Sequence, residues 1–148
     1  MTDVSFTLDE IQGRVTSALD DFKEHDQKLL ELCADERTTT HRIACYLQNY
    51  FKDWHVDCEY NRRGSEQKTQ RGKKVRPDII VHHRGIRENL LCIEVKKEGE
   101  PLADDRIKLK NFSDTAGDYG YQYGLLLVLS LKPPYRIQSE WFRHGNAI

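Results

Sequence analysis

The spacing of apolar positions divides the chain into a helical first third and a strand-rich remainder. Thr7 to Glu10 reads T-x-x-E, the capping box of a helix start. Leu8, Ile11, Val15, Leu19, Phe22, Leu29, Leu30 and Leu32 then recur broadly at helical spacing. They predict one acidic amphipathic helix, or two broken between Lys23 and Gln27. A second helix is expected to start near Asp35 to Thr38, with Ile43, Ala44, Leu47, Tyr50 and Phe51 as its apolar stripe. Next, WHVDCEYN (54–61) alternates like a strand. Residues 62–74 contain Gly64, Gly72 and no apolar residue, and read as a loop between strands. Two apolar runs, 75–83 and 89–97, flank a polar turn and predict a β-hairpin. EGEPLADD reads as a loop whose last acids cap a helix over Arg106 to Thr115, with Ile107, Leu109 and Phe112 apolar. YQYGLLLVLS (121–130) is apolar almost throughout, as in a strand buried on both faces. After Pro133 and Pro134, residues 135–142 fit a last edge strand. This order predicts an α/β fold, a mixed sheet flanked by helices.

The hairpin carries charges where an apolar strand should have none. Asp78 opens the first run, and Glu94 and Lys96 lie in the second. Such groups rarely enter apolar strands without a partner. With a turn over 84–88, the hairpin centres on Ile86 and opposed residue numbers sum to 172. Val81 then faces Leu91, His83 faces Asn89, and Asp78 faces Glu94. Directly opposed Cβ atoms lie about 4.5–5.5 Å apart. Two carboxylates that close repel unless a proton or a cation sits between them. A hard cation such as Mg²⁺ takes oxygen ligands at ~2.1 Å, and this pair is placed to hold one. Lys96 lies two residues further along the same face. The competing explanation is structural: Asp78 caps a strand end, and Glu94 and Lys96 form a solvated pair. Apolar neighbours on both faces (Leu90, Leu91, Cys92, Ile93, Val95) argue against it. His82 shares the face of Asp78 but lies ~13 Å along the strand, too far to ligate the same ion. His82 and His83 are therefore read as structural or surface residues.

Length and composition fit one domain of 148 residues, 38% apolar and 32% charged. No segment approaches the ~20 apolar residues of a membrane span, and the acidic N-terminus does not read as a secretory signal. Cys33, Cys45, Cys58 and Cys92 are scattered without a CxxC, which fits reduced thiols and a cytoplasmic location. The net charge of −1 conceals a division. Residues 1–36 hold ten acids against three bases, −7 in all, so the rest of the chain carries +6. The basic excess is densest over 62–76, with seven Lys or Arg and one acid. That distribution permits a polyanionic partner.

RPD at 76–78, an apolar strand, a turn and IEVKK at 93–97 together resemble the PD-(D/E)xK nuclease superfamily. The likeness is to its small bacterial members. It covers most of the chain, with the matching order of elements running over 35–130, and leaves out the acidic N-terminal helix and the tail. It implies a restriction-endonuclease-like core, α-β-β-β-α-β, here with an extra N-terminal helix. It also implies a metal-dependent nuclease. Asp78 and Glu94 would bind Mg²⁺ or Mn²⁺ together with the Val95 carbonyl, and Lys96 would orient or activate water and stabilise charge at the phosphate. Many members add a Glu from the first core helix; Glu36 matches, with Glu31 as the weaker candidate. Some carry a cation on the helix after the motif; Lys108 is the choice, with Arg106 and Lys110 as neighbours. Arg62, Arg63, Lys68, Arg71, Lys73, Lys74 and Arg76 would grip phosphates beside the cut.

Two other readings stay open. One is a nuclease fold that binds nucleic acid or protein without cutting. The other is an interaction protein acting through residues 1–34, as a homodimer or within a larger assembly, with 35–148 as the nuclease-like domain. The expected partner is nucleic acid, DNA rather than RNA, and no membrane.

Overall fold

Thr7 caps the first helix, as its place in the T-x-x-E pattern predicts. Its hydroxyl oxygen accepts the Glu10 N–H at 3.2 Å and donates to the Glu10 carboxylate at 3.1 Å. The structure, a computed structural model, describes residues 6–58 and 77–148. Between them it describes only the backbone pairing of four two-residue strands, Arg62–Arg63 with Glu66–Gln67 and Thr69–Gln70 with Lys73–Lys74. The expected loop over 62–74 thus contains short backbone ladders.

Helix α1 spans Leu8–Asp26 and α2 spans Lys28–Glu31. The break falls at Gln27, at the end of the range the sequence suggested. Ile11, Val15, Leu19 and Phe22 are buried as one stripe. Leu30 is buried, but Leu32 lies past the end of α2 and is 67% exposed, so it does not belong to that stripe. Helix α3 covers Glu36–Tyr50, and its cap Asp35 accepts the Thr38 N–H at 2.7 Å.

Six strands form one mixed sheet: β1 (His55–Cys58), β2 (Ile79–His83), β3 (Glu88–Lys97), β4 (Tyr123–Leu129), β5 (Ile137–Arg143) and β6 (Asn146–Ala147). They lie in chain order. The β3–β4 pair is parallel and the others antiparallel. Helix α4, Ala103–Phe112, makes the crossover that a parallel pair requires. It starts three residues earlier than the sequence suggested. Asp104 and Asp105 therefore stand within its first turn, where the helix dipole favours acids. Ile107 is 49% exposed, and Asp105, Leu109 and Phe112 are the residues buried on this helix. β5 is not the edge strand, because Asn146–Ala147 pairs outside it.

The sheet separates two cores. On one face, α1 and α3 pack over Ile79, Val81, Leu91, Ile93, Val95, Leu125 and Leu127. On the other, α4 packs over Ile80, Cys92, Leu126 and Phe142. Gly124 makes the close approach of α4 workable. A Cβ there would lie 3.2 Å from the Phe142 Cβ and 3.5 Å from the Leu109 backbone oxygen and side chain. The N-terminal segment is tied into the same body. Tyr123 donates to the Phe6 carbonyl at 2.8 Å, Arg14 to the Tyr50 carbonyl at 2.7 Å, and Tyr46 and Arg42 to Asp26 at 2.8 and 2.9 Å. Among the described residues, no helix is long and apolar enough to cross a membrane.

Candidate metal and phosphodiester site

Strand register places the charged residues of the hairpin. Ile79 pairs with Ile93, Ile80 with Cys92 and Val81 with Leu91, so the expected sum of 172 holds at this end. Extended by one residue, it sets Asp78 opposite Glu94. It fails at the other end. A shift between Val81 and His82 pairs His83 with Glu88, not Asn89. The extra residue in β3 is a bulge, a feature that an alternating pattern does not reveal.

Side chains alternate across strands, so the face under α4 can be followed row by row. Ile80 and Cys92 form one row with Gly124. Asp78 and Glu94 continue it with Leu126 and Glu140, and Lys96 follows with Val128 and Gln138. Asp78, Glu94 and Lys96 thus share one face at one end of the sheet.

Pro77 explains a backbone detail of this arrangement. The Val95 N–H points toward β2 and donates to Asp78 Oδ2 at 2.8 Å. The Val95 carbonyl points to the same side, as both groups of a residue do in an antiparallel ladder. The residue opposite is Pro77, which has no N–H to give. Pro77 therefore cannot close a ladder bond to that carbonyl.

Electrostatics single out Glu94. It is 2% exposed, and among the described residues its Oε1 has no hydrogen-bond partner. Burial, and then the Asp78 carboxylate beside it, push its pKa well above the usual carboxylate range. Asp105, 3% exposed, reaches the same site from α4. Its Oδ1 lies 3.9 Å from Lys96 Nζ. Burial raises its pKa, against the pull of Lys96 and Lys108. Glu36, half-buried at the start of α3, is also raised, first by burial; Lys96 opposes this, while Asp78 adds to it. Burial alone would lower Lys96, but Asp105, Glu36, Glu100 and Asp78 outweigh it, and its pKa is raised. The Lys96 ammonium therefore stays charged.

Of the three cations considered on α4, Lys108 acts on both Glu94 and Asp105. Arg106 instead pairs with Glu140 on β5, at 3.0 Å. Glu31, the weaker alternative to Glu36, pairs with Lys28 at 4.0 Å. The side chains of Arg62, Arg63, Lys68, Arg71, Lys73, Lys74 and Arg76 lie outside the described residues. What is placed is where their segment is anchored: Cys58 pairs with Ile79, so both ends meet the sheet beside Asp78. His82 is buried, with Nε2 2.7 Å from Asp57 Oδ2. His83 stacks on Trp54 with ring centroids 4.0 Å apart. Both are away from the carboxylate pair.

Asp105 is the residue that sequence reading missed. A signal was present: an acid at the i position of a stripe completed by Leu109 and Phe112 at i+4 and i+7.

Four carboxyl groups, those of Asp78, Glu94, Asp105 and Glu36, thus meet two ammonium groups, Lys96 and Lys108. If all were ionised the cluster would carry −2, the charge that one divalent cation balances. The Glu94 Oε1 and the Val95 carbonyl opposite Pro77 fit such an ion. Among the described residues, no group of three or more His, Cys, Asp or Glu side chains is gathered as a metal cluster. Two carboxylates and a carbonyl fit a Mg²⁺ that keeps several waters and takes substrate phosphate as ligand. No protein-family model matches the chain, and no curated protein matches it.

Proposed function

We propose that this protein is a metal-dependent nuclease that hydrolyses phosphodiester bonds, of DNA rather than RNA. The observation that carries the reading is the buried Glu94 oxygen, without a partner among the described residues, beside Asp78 on a strand whose next residue but one is a charged lysine. A structural strand has no need of a buried carboxyl group set against a second, half-buried one, an arrangement that destabilises it. The order α3-β1-β2-β3-α4-β4, with the two acids and the lysine on β2 and β3, supports membership of the PD-(D/E)xK superfamily.

Asp78, Glu94 and the Val95 carbonyl would hold Mg²⁺ or Mn²⁺. Bound there, the ion supplies a water of lowered pKa and neutralises charge at the phosphate. The protein's own residues do the rest. Asp78 keeps one oxygen on the Val95 N–H and leaves the other for the ion. Lys96 stays protonated, which suits it to stabilise charge on the phosphate oxygens rather than to take a proton from water. Asp105 holds Lys96 from above, and Lys108 offsets the negative charge around Glu94. Glu36 stands at the site's margin beside Lys96.

The test is cleavage of labelled duplex, branched and single-stranded DNA and of RNA, with Mg²⁺ or Mn²⁺. Asp78→Ala, Glu94→Ala and Lys96→Ala should each abolish metal-dependent products while the fold survives. Full activity in all three variants would overturn the reading. Binding of nucleic acid without products in the native chain would favour the non-cutting module instead.

A further inference from the structure

Beyond the carboxylate pair, the same sheet face continues into a cavity of about 150 Å³ lined by Glu98, Val128, Ser130, Pro134, Arg136 and Gln138. We propose that this cavity holds the nucleobase next to the phosphate being cut; the proposal rests on reading Asp78, Glu94 and Lys96 as a phosphodiester site.

Register ties the cavity to that site. Lys96 pairs with Val128, and Val128 with Gln138, so the three form one row. Two residues on, Glu98, Ser130 and Arg136 form the next row of the same face. Lys96 therefore stands between the carboxylate pair and the cavity. Helix α4 covers the rows on the other side, through Leu126 and the Arg106–Glu140 pair, and reaches the Lys96 row only at its edge, through Asp105 on Lys96 and the packing against Val128; Gln138, Arg136 and Pro134 stay exposed. Neighbouring strands lie about 4.8 Å apart, so a group on Val128 and Gln138 sits one to two strand spacings from Lys96. That is the reach from a phosphate to the base of its own nucleotide.

Size and chemistry point to a base. A cavity of about 150 Å³ holds one benzene-sized ring, so it takes the six-membered ring of a base, with the rest of a purine left at its open mouth. Val128 and Pro134 give the apolar contact that a ring face needs, and the edge groups are polar. Glu98 accepts the Leu131 N–H through Oε1 at 3.3 Å, which leaves Oε2 for a ligand. Ser130 is turned to its own loop, at 3.2 Å from the Lys132 carbonyl. Among the described residues, neither the Gln138 amide nor the Arg136 guanidinium has a hydrogen-bond or ion-pair partner. An amide that offers donor and acceptor together matches the edge of adenine, and a carboxylate accepts from an exocyclic amino group. Arg136 suits the adjoining phosphate. Bases that carry an amino group should therefore bind better than uracil, whose edge offers carbonyl oxygens to Glu98.

The experiment is a titration of the full chain with adenosine 5′-monophosphate in EDTA, read by the backbone amide shifts of Val128, Ser130 and Gln138. Saturable shifts there are expected, weakened at least tenfold by Val128→Trp, which fills the cavity. Gln138→Ala, at an exposed position, serves if the tryptophan variant does not fold. Uridine 5′-monophosphate should bind more weakly. Absence of saturable shifts, or shifts unchanged in both variants, would overturn the proposal. Metal-free binding is read without catalysis, so the two readings fail separately. Cleavage that survives in Asp78→Ala and Glu94→Ala would remove the carboxylate site and leave the cavity result standing.

Discussion

At the scale of the residue, Glu94 and His83 show how burial and neighbours set charge. Glu94 keeps its proton in the folded chain at pH values where the unfolded chain, with an ordinary value of 4.5, has lost it. Its contribution to stability is fully present below pH 4.5 and is lost as pH rises through the folded-state value. Glu94→Gln removes that loss and gives the site an amide that can donate to Asp78. In EDTA the variant should melt with the native chain near pH 4 and above it at pH 8. The gain should be about 1 kcal/mol, as for relief of an unsatisfied buried group, or ~2–4 °C. Melts at the two pH values check it, and an equal or lower Tm at pH 8 counts against a like-charged buried pair. His83 moves the same way for a different reason. Burial pulls its pKa down, but the Glu88 carboxylate and the Asp53 carbonyl outweigh that, so it rises above 6.5. Its charged form is favoured by folding, so that contribution is complete below pH 6.5 and is lost as pH rises through the folded-state value. Because His83 lies flat on Trp54, the indole reports its charge. Fluorescence should titrate with a midpoint above 6.5, and His83→Gln should abolish the step.

At the scale of the element, α1 is part of the core rather than an appendage. Phe22 is fully buried, with its ring 6.3 Å from that of Tyr46 on α3. Phe22→Ala should cost about 3–5 kcal/mol by denaturant unfolding. A cost near zero would mean that the helix is dispensable. A chain lacking residues 1–34 should fail to fold for the same reason, so it cannot test self-association through this helix. The apolar stripe is already covered by α3, and only the polar side of α1 remains for a partner. Periodicity made α1, α3 and the strands legible because each buries one regular face. It also set Asp78 opposite Glu94, although the turn lies elsewhere than expected and the bulge restores that pairing by shifting the register one residue. The bulge at Val81 and His82 was not legible, because one inserted residue leaves the apolar pattern of both runs intact. The start of α4 was misplaced because its apolar stripe contains an acid. By sequence Asp105 fits a cap, whereas in the structure it meets Lys96. The β5–β6 ladder escaped because two exposed residues carry no pattern.

At the scale of the whole molecule, the acidic N-terminal helix and the carboxylate pair lie on opposite sides of the sheet. The pair shares its face with α4 and the cavity. The segment 59–76, with its seven bases, leaves and rejoins the sheet beside Asp78. If those bases take phosphates, each releases counterions, and the logarithm of affinity falls with the logarithm of salt by ~0.9 per contact on duplex DNA. Lys73→Ala, Lys74→Ala and Arg76→Ala combined should therefore flatten the slope by roughly 2–3, measured by anisotropy of a labelled duplex in EDTA between about 50 and 200 mM salt. Asp9→Asn, Glu10→Gln and Asp20→Asn combined remove the same amount of charge from the far face. They should leave the slope unchanged, because slope counts phosphates contacted and not net charge. Equal slopes in the native chain and the basic-segment variant would place the phosphate contacts elsewhere. The cations next to the carboxylates, Lys96 and Lys108, would then be the groups to replace.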